Sequence, residues 1–331
     1  MTIQKYLEAV LNSQTLEEEG NELATLRRHR NDVEELLRTN FEACSPTIRY
    51  GGSYAKGTLI KVDYDLDVIC YFPHDDTEAG QTLKDIYFNT RDALARSYLV
   101  EEKPSALRLK SKQAIQDNAD FHIDVVPGRY IDDKKNDTFL YQNNAADRKG
   151  WLKTNLEVHL SHISGSGVVP AIRLMKLWRG RNRLPVKTFA LELLTVKLLQ
   201  NKKKASLEDQ LKYIWADLRD NVNNISIEDP ANPTGNDLSD LLNQGVLILL
   251  SLAASSTLTQ IGQGDWEKVF GPTDESMDNA SKGGGLLGAS FVSKENKATP
   301  TNKPESPPKP PRPPGPDKPP KPPKPREVGL Y

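Results

Sequence analysis

Three aspartates alternate with aromatic or apolar residues in one short stretch, DYDLDV, which contains Asp63, Asp65 and Asp67. In a β-strand this spacing places the three carboxylates on one face and the intervening side chains on the other. Carboxylates this close repel each other, and a divalent cation between two of them removes the repulsion; Mg²⁺ suits such oxygen ligands. The same pattern also fits an acidic edge strand that faces solvent, so the motif alone leaves both interpretations open.

A glycine-rich turn, GGSYAKGT, precedes this stretch. Small residues at Gly52 and Ser53 allow backbone amides to approach a phosphate closely, and Ser53 adds a hydroxyl donor. Most glycine pairs are ordinary turns. A small-residue turn followed by an Asp-x-Asp strand is more specific, and together the two predict a nucleotide site in which Mg²⁺ bridges carboxylates and phosphate oxygens.

A third carboxylate comes from the segment HIDVVP, in which Asp124 lies between two apolar residues of a predicted strand that Pro127 is expected to end. An isolated aspartate in such a strand is costly to bury without a partner. Taken alone, it would cap a turn or pair with an arginine. Beside the other two motifs, it is the predicted third metal ligand, which would help to activate a hydroxyl nucleophile.

The elements that must position these residues form a mixed α/β block followed by helices. Apolar spacing predicts a long amphipathic helix over 16–41 and four later helices over 168–179, 188–200, 206–222 and 238–257. Between them the pattern predicts a strand over 66–72, a helix over 79–96, a pair of strands within 105–115 and a strand over 121–126.

Composition excludes several classes of protein. The 44 basic and 45 acidic residues nearly cancel, so global charge gives no reason to expect a nucleic acid or membrane partner. Two cysteines are too few for a disulfide framework. No apolar run approaches the roughly 20 residues that span a bilayer, and the N-terminus does not resemble a signal peptide. We therefore expect a soluble cytoplasmic protein.

The end of the chain, 291–331, is rich in Pro and Lys and predicts a disordered tail. A flexible extension is the first interpretation. Docking on a regulatory protein is an alternative, and the family resemblance described below implies another, conjugation of the C-terminus by a partner enzyme.

The motifs GGSYAKGT, DYDLDV and HIDVVP together resemble the polymerase-β-type nucleotidyltransferase superfamily. They are most similar to the branch of oligoadenylate synthetases, cyclic GMP-AMP synthase and the bacterial CD-NTases, which make cyclic oligonucleotide signals in anti-phage defence. Four later segments extend the similarity over roughly residues 40–272: AIRLMKLWRGR, VKTFALELLTVKLL, IEDPANPTGND and WEKVFG.

The resemblance implies an α+β fold, with a polymerase-β-type nucleotidyltransferase core built on a mixed sheet and a C-terminal helical domain. The expected division is an N-terminal helical segment 1–42, a catalytic core 43–165, a helical domain 166–290 and the tail 291–331. It implies catalytic and metal-binding roles for Asp65, Asp67 and Asp124, with Asp63 as a neighbour. Contacts to the nucleotide phosphates are expected from the following residues: Gly52, Ser53, Lys176 and Thr188. Lys56 is left open.

The implied reaction is attack of a ribose hydroxyl on the α-phosphate of a nucleoside triphosphate, with two Mg²⁺ ions as cofactors and Mn²⁺ as a substitute. ATP and other nucleoside triphosphates are the expected substrates, and the product is a cyclic di- or trinucleotide that contains adenine. No His/Cys cluster supports zinc-dependent DNA sensing. Three alternatives stay open: linear 2′–5′ oligoadenylate synthesis, nucleotidyl transfer to a protein or tRNA, and an inactive nucleotide-binding scaffold.

Overall fold

A mixed seven-stranded sheet lies at the centre of the computed structural model, which describes residues 1–17, 20–112, 120–143 and 150–273. Its strands are β1 Thr47–Tyr50, β2 Leu66–Phe72, β3 Leu99–Glu102, β4 Leu107–Lys110, β5 Asp120–Tyr130, β6 Thr138–Tyr141 and β7 Trp151–Thr154. The main order is β1-β2-β5-β4-β3, and β6 joins β5 to β7. Only β2 and β5 run parallel among these described pairs. The predicted α+β fold with a mixed sheet is confirmed.

Ten α-helices surround this sheet or follow it within the described ranges. They are α1 Ile3–Ser13, α2 Asn21–Asn40, α3 Gly52–Lys56, α4 Leu83–Ala95, α5 Leu156–Ser164, α6 Val169–Arg181, α7 Thr188–Leu198, α8 Leu207–Asp220, α9 Gln244–Gly262 and α10 Trp266–Phe270. The four helices predicted for the second half correspond to α6 to α9. The predicted tail, 291–331, lies outside the described residues.

Alternation along the central strands divides the sheet into two different faces. Leu66, Val68, Cys70 and Phe72 of β2 join a core with α2 and α4, whereas Ile69 and Tyr71 belong to a small cluster on the opposite face. A period of two residues produces this division. The aspartates of β2 share the parity of Ile69 and therefore lie on the second face.

The helical half has its own core around three tryptophans, Trp178, Trp215 and Trp266. The first helix, α1, packs here through Tyr6, Leu7 and Val10, whereas α2 packs on the sheet. Helices α1 and α2 thus pack into two different cores. All described residues fall in one compact unit, so the boundaries at 42/43 and 165/166 stay predictions.

Strand β5 corrects one expectation, because it continues through Pro127 to Tyr130 instead of ending there. Proline has no N–H to give to a ladder. Pairing with β4 is last seen at Val125 and pairing with β6 starts at Arg129. Position 127 therefore lies in the gap between these two partners, where a missing N–H is tolerated.

The segment Ser239–Gly262 corrects another expectation, because it is long and apolar enough to span a bilayer by length and composition. Within its 24 residues, a window of 18 reaches a mean hydropathy of 1.6. Core helices of soluble proteins meet the same criterion, and this segment buries Val246, Leu250, Ala254 and Ile261 in the helical core.

Candidate active site

A cleft of about 260 Å³ lies between the second face of the sheet and helices α5 and α7. Charged and hydroxyl side chains from α3, β2, the residues just before β2 and α7 line part of it, and much of the remaining lining is apolar. These side chains are Lys56, Asp65, Asp67, Thr188 and Glu192. The cleft therefore brings two of the predicted catalytic aspartates beside α7, which begins more than 100 positions after them in sequence.

Asp67 and Asp124 are direct partners in the parallel ladder between β2 and β5. Directly paired residues of neighbouring strands project from the same face. Their flanking residues Ile123 and Val125 are fully buried in the core of the other face. Asp67 and Asp124 thus share one face of two adjacent strands, and Asp65 lies just before β2, two positions ahead of Asp67.

Asp65 is held by the glycine-rich turn. The backbone N–H of Ser53 donates to Asp65 Oδ1 at 2.9 Å, and the Ser53 hydroxyl accepts from the Asp65 N–H at 3.0 Å. Burial acts to raise the pKa of Asp65, but hydrogen bonds from Ser53 and the charges of Lys176 and Lys56 bring it below its ordinary value. The turn predicted to bind phosphate therefore orients a carboxylate in this structure.

Gly52 is required for that arrangement. Its φ of +71° lies in the left-handed region. A Cβ atom here would lie 2.8 Å from the carbonyl oxygen of Asp65 and 3.0 Å from the backbone nitrogen of Asp67. Only glycine allows the turn to approach β2 this closely.

Asp67 has no hydrogen-bond or ion-pair partner among the side chains that the structure describes. Burial and the nearby charge of Asp65 raise its pKa to about 7, and Asp124 acts in the same direction. A buried carboxylate without a partner is costly. An added cation would supply the missing charge, so the donor chemistry here fits a divalent metal ion.

Asp124, in contrast, is neutralised by the protein. The guanidinium of Arg108 contacts both carboxylate oxygens, through Nε to Oδ1 and through Nη2 to Oδ2 at 2.8 Å. Lys103 Nζ lies 3.2 Å from Oδ2. The ladder places Arg108 directly opposite Asp124. Pairing with an arginine, which the sequence left as an alternative, is thus what this structure shows.

The backbone near Asp124 is strained. His122 adopts a φ of +57°, which is uncommon for a residue other than glycine, and its N–H donates to Asp120 Oδ1 at 2.7 Å. Its ring lies 4.5 Å from that of Tyr64. Asp120 also accepts from Arg108 at 3.0 Å, so one arginine stabilises both ends of the irregular segment.

No three His, Cys, Asp or Glu side chains within the described ranges converge closely enough to form a ready metal cluster. The reason lies in the contacts above, because Ser53 engages Asp65 while Arg108 and Lys103 engage Asp124. The ligand types and their placement fit a metal ion.

Of the four predicted phosphate contacts, Gly52 and Thr188 line the cleft. Ser53 is buried against Asp65, and Lys176 is fully buried. The Lys176 ammonium donates to the carbonyl oxygens of Thr58 at 3.1 Å and Asp63 at 2.9 Å. A phosphate contact by Lys176 stays a prediction that this arrangement does not favour.

Asp63 is directed towards the helical half. Its carboxylate accepts from Arg179 at 2.8 Å and lies 3.9 Å from Lys176 Nζ. Thr188 also receives a hydrogen bond from Arg179, at 3.1 Å. This agrees with its predicted place as a neighbour of the catalytic aspartates.

Sequence reasoning missed the histidine of the cleft. His159 lines the cleft, and its Nε2 lies 2.7 Å from Asp229 Oδ1. Asp229 is buried and also accepts from Asn236 at 2.6 Å. Asp229 and Asn236 both come from the segment IEDPANPTGND, so the similarity of that segment was the available signal.

A family model described as Second Messenger Oligonucleotide or Dinucleotide Synthetase domain matches residues 1–166. The chain belongs to this family. The match includes the glycine-rich turn, β2 and β5, and so covers all three aspartates predicted to be catalytic. A search of curated protein sequences found no significant match.

Solved structures of other synthetases share the fold. CdnC of E. coli MS115-1, solved with ATP, is 20% identical over 81% of this chain and 98% of its own, with a TM-score of 0.61. CdnG of Bradyrhizobium diazoefficiens, solved with GTP, is 13% identical over 85% and 98%, with a TM-score of 0.62. The cyclic AMP-GMP synthase DncV of Vibrio cholerae is 17% identical over 82% and 84%, with a TM-score of 0.54. This chain is therefore a CD-NTase-like nucleotidyltransferase in fold.

Proposed function

We propose that this chain makes a cyclic di- or trinucleotide that contains adenine, from ATP and other nucleoside triphosphates, with release of pyrophosphate. The observation that carries the proposal is an unpartnered carboxylate, Asp67, beside Asp65 and in register with Asp124 at the end of a cleft. Membership of the synthetase family supports it. A cytoplasmic role in anti-phage signalling, with a regulatory or conjugating partner at the tail, belongs to the same proposal.

In the proposed reaction a ribose hydroxyl loses its proton to solvent and its oxygen forms a bond to the α-phosphorus. The bond from that phosphorus to the bridging oxygen breaks, and pyrophosphate leaves with the electron pair. A second transfer closes the ring of a cyclic dinucleotide, and a third closes that of a cyclic trinucleotide. Each step replaces one P–O bond by another, so the protein contributes mainly by positioning and electrostatics.

The residues of this chain have separate tasks in that reaction. Asp65, Asp67 and Asp124 would hold two Mg²⁺ ions, or Mn²⁺ in their place, which would activate the hydroxyl and neutralise the leaving pyrophosphate. Ser53 orients Asp65, and Gly52 permits its close approach. Arg108 fixes the carboxylate of Asp124 beside the site.

The test is incubation of the purified full chain with the four nucleoside triphosphates and Mg²⁺, followed by phosphatase and mass spectrometry. A phosphatase-resistant product of cyclic mass is expected. Asp65→Asn combined with Asp67→Asn should reduce it at least about 100-fold, since a lost electrostatic contact to the transition state costs several kcal/mol. Asp63→Asn is the matched control from the same stretch and should retain synthesis.

Other outcomes would replace the proposal. Label on a protein or tRNA would indicate transfer to a macromolecule, and linear oligomers would indicate 2′–5′ oligoadenylate synthesis. Thermal stabilisation by ATP without turnover would indicate a nucleotide-binding scaffold. Full activity of the double variant would contradict the site assignment.

A further inference from the structure

Helix α9 carries no charge on any face. Its 19 residues, QGVLILLSLAASSTLTQIG, contain no acidic or basic side chain. One face packs into the helical core through Val246, Leu250 and Ala254, and on the same side Thr257 Oγ1 accepts from the indole N–H of Trp178 at 2.8 Å. The opposite face therefore lacks the charged side chains that a solvent-exposed helix face normally carries.

This opposite face, which we name the outer face of α9, is exposed. Its side chains recur at helical spacing and are Ile248, Leu249, Leu252, Ser255, Ser256 and Thr259. Ile248 is 48% exposed, Leu249 44% and Leu252 63%. Isolated exposed apolar residues are common on soluble proteins, but neighbouring ones on one helix face form a contiguous patch, and such patches mark interaction sites.

The other long helices that the structure describes differ from α9 in this respect. Each of α1, α2 and α4 to α8 exposes at least one charged side chain. Burying a charge without a partner is costly, so the complement of the outer face is another uncharged surface. Among the helices of the described chain, that complement is the outer face of α9 in a second copy.

The outer face has large side chains at one end and small ones at the other. Ile248, Leu249 and Leu252 occupy its first half, and serine and threonine occupy the second half. In an antiparallel pair with a two-fold axis at Leu252, the large half of each helix lies opposite the small half of the other, so the side chains interdigitate. A parallel pair would place small residues opposite small residues and leave gaps between the helices.

A lipid surface fits the outer face less well. Helices that lie in a membrane interface carry Lys or Arg on their polar face and Trp or Phe on their apolar face. Helix α9 contains none of these four residue types. Leu250 and Ala254 on its other face are fully buried, so transfer of the whole helix into a bilayer would expose the helical core.

We propose that two copies of this chain associate through the outer faces of α9, with the helices antiparallel and Leu252 at the two-fold axis. None of the described residues that line the candidate active-site cleft comes from α9, so both clefts stay open in the pair. Two helices of about 28 Å are expected to bury less than the roughly 800 Å² per partner of a standard interface. The pair should therefore form at micromolar concentrations and dissociate on dilution.

Sedimentation velocity of the full chain over about 1–100 µM tests this association. The weight-average mass should rise from that of one chain towards that of two chains. Leu252→Glu places a carboxylate at the axis and should weaken association at least about tenfold. Its melting temperature should stay close to that of the wild type, because Leu252 is 63% exposed. Leu99→Glu, at a leucine that is 47% exposed on β3, is the matched control and should associate like the wild type.

Cysteine cross-linking tests the arrangement of the two helices. Cys44 and Cys70 are buried, so they give little background. Across an antiparallel axis at Leu252, two Leu252→Cys side chains meet, whereas two Thr259→Cys positions lie about 20 Å apart, too far for a disulfide. Oxidation should link Leu252→Cys into a covalent dimer and leave Thr259→Cys as single chains. Efficient linking of both variants would show parallel helices and overturn the antiparallel arrangement.

Two other results would overturn the inference as a whole. One is a chain that stays monomeric up to about 100 µM, or a dimer that Leu252→Glu does not weaken. The other is flotation of the wild-type chain with phosphatidylcholine and phosphatidylglycerol vesicles that Leu252→Glu abolishes, because the outer face would then bind lipid.

Discussion

The two central strands present their carboxylates in opposite electrostatic surroundings. Asp67 of β2 has no hydrogen-bond or ion-pair partner among the described side chains, and burial and the charge of Asp65 raise its pKa to about 7 although nearby Lys56 acts to lower it. Its ladder partner Asp124 of β5 is paired with Arg108 and Lys103. One side of the site therefore needs a cation from outside, and the other carries its own. A metal ion should bind first on the β2 side.

The largest expected effect comes from removing the counter-charge of Asp124. Arg108→Met leaves Asp124 and Asp120 without their shared partner and releases the strained segment at His122. Breaking such a part-buried pair should lower the free energy of unfolding by about 2–3 kcal/mol. Urea unfolding of Arg108→Met and of the wild type measures this loss.

The control for this change is Arg91→Met, which removes an arginine from the pair with Asp92 and Glu102. A surface pair of this kind contributes about 0–1 kcal/mol. Equal losses for the two variants would show that Asp124 does not depend on Arg108 in the way the contacts indicate.

A smaller loss is expected on the β2 side, where backbone approach positions the carboxylates. Gly52→Ala combines a positive φ with a Cβ 2.8 Å from the Asp65 carbonyl, so about 2 kcal/mol of stability should be lost. Gly57 has an equivalent φ of +72° and open space around its Cβ position. Gly57→Ala should cost about 1 kcal/mol of stability. Thermal unfolding of both variants then shows how much of the loss in Gly52→Ala comes from the contact with β2.

The smallest effect concerns the charge of Asp67 itself. Its folded pKa of about 7 exceeds the ordinary value near 4. The folded state therefore binds the proton more tightly, and wild-type stability falls as pH rises from about 4 to 7. In EDTA, Asp67→Asn should be more stable than wild type by about 1 kcal/mol at pH 8 and by less at pH 5, because the partial exposure of Asp67 in the cleft weakens the effect of its pKa shift.

Chemical denaturation of Asp67→Asn and of the wild type at pH 5 and pH 8 measures this difference in stability. Asp75→Asn, on an exposed aspartate, is the control and should show no such pH dependence. A difference between Asp67→Asn and wild type that stays constant from pH 5 to pH 8 would contradict an unpartnered Asp67.

Much of this comparison follows from the sequence. The period of two in DYDLDV predicted strand β2 and its carboxylate face, and HIDVVP supplied Asp124. The helices of the second half followed from their apolar spacing. These are local patterns, and they are reliable because strand and helix periods act on neighbouring residues.

The partners of these residues required the tertiary structure. That Arg108 lies opposite Asp124 depends on ladder register, which no single strand specifies. The Lys56–Glu192 pair joins residues 136 positions apart. An amphipathic pattern marks α1 as a packed helix but does not say which core receives it. Pro127 was misjudged because its tolerance depends on where two neighbouring strands end and begin.

The most direct measurement is Mn²⁺ binding to the nucleotide-free chain by calorimetry, with wild type, Asp67→Asn and Asp124→Asn compared. The unpartnered carboxylate should dominate, so Asp67→Asn is expected to weaken Mn²⁺ at least about tenfold, and Asp124→Asn less than about threefold. Equal losses for the two variants, or a larger loss for Asp124→Asn, would contradict the account of a site with one open and one neutralised side.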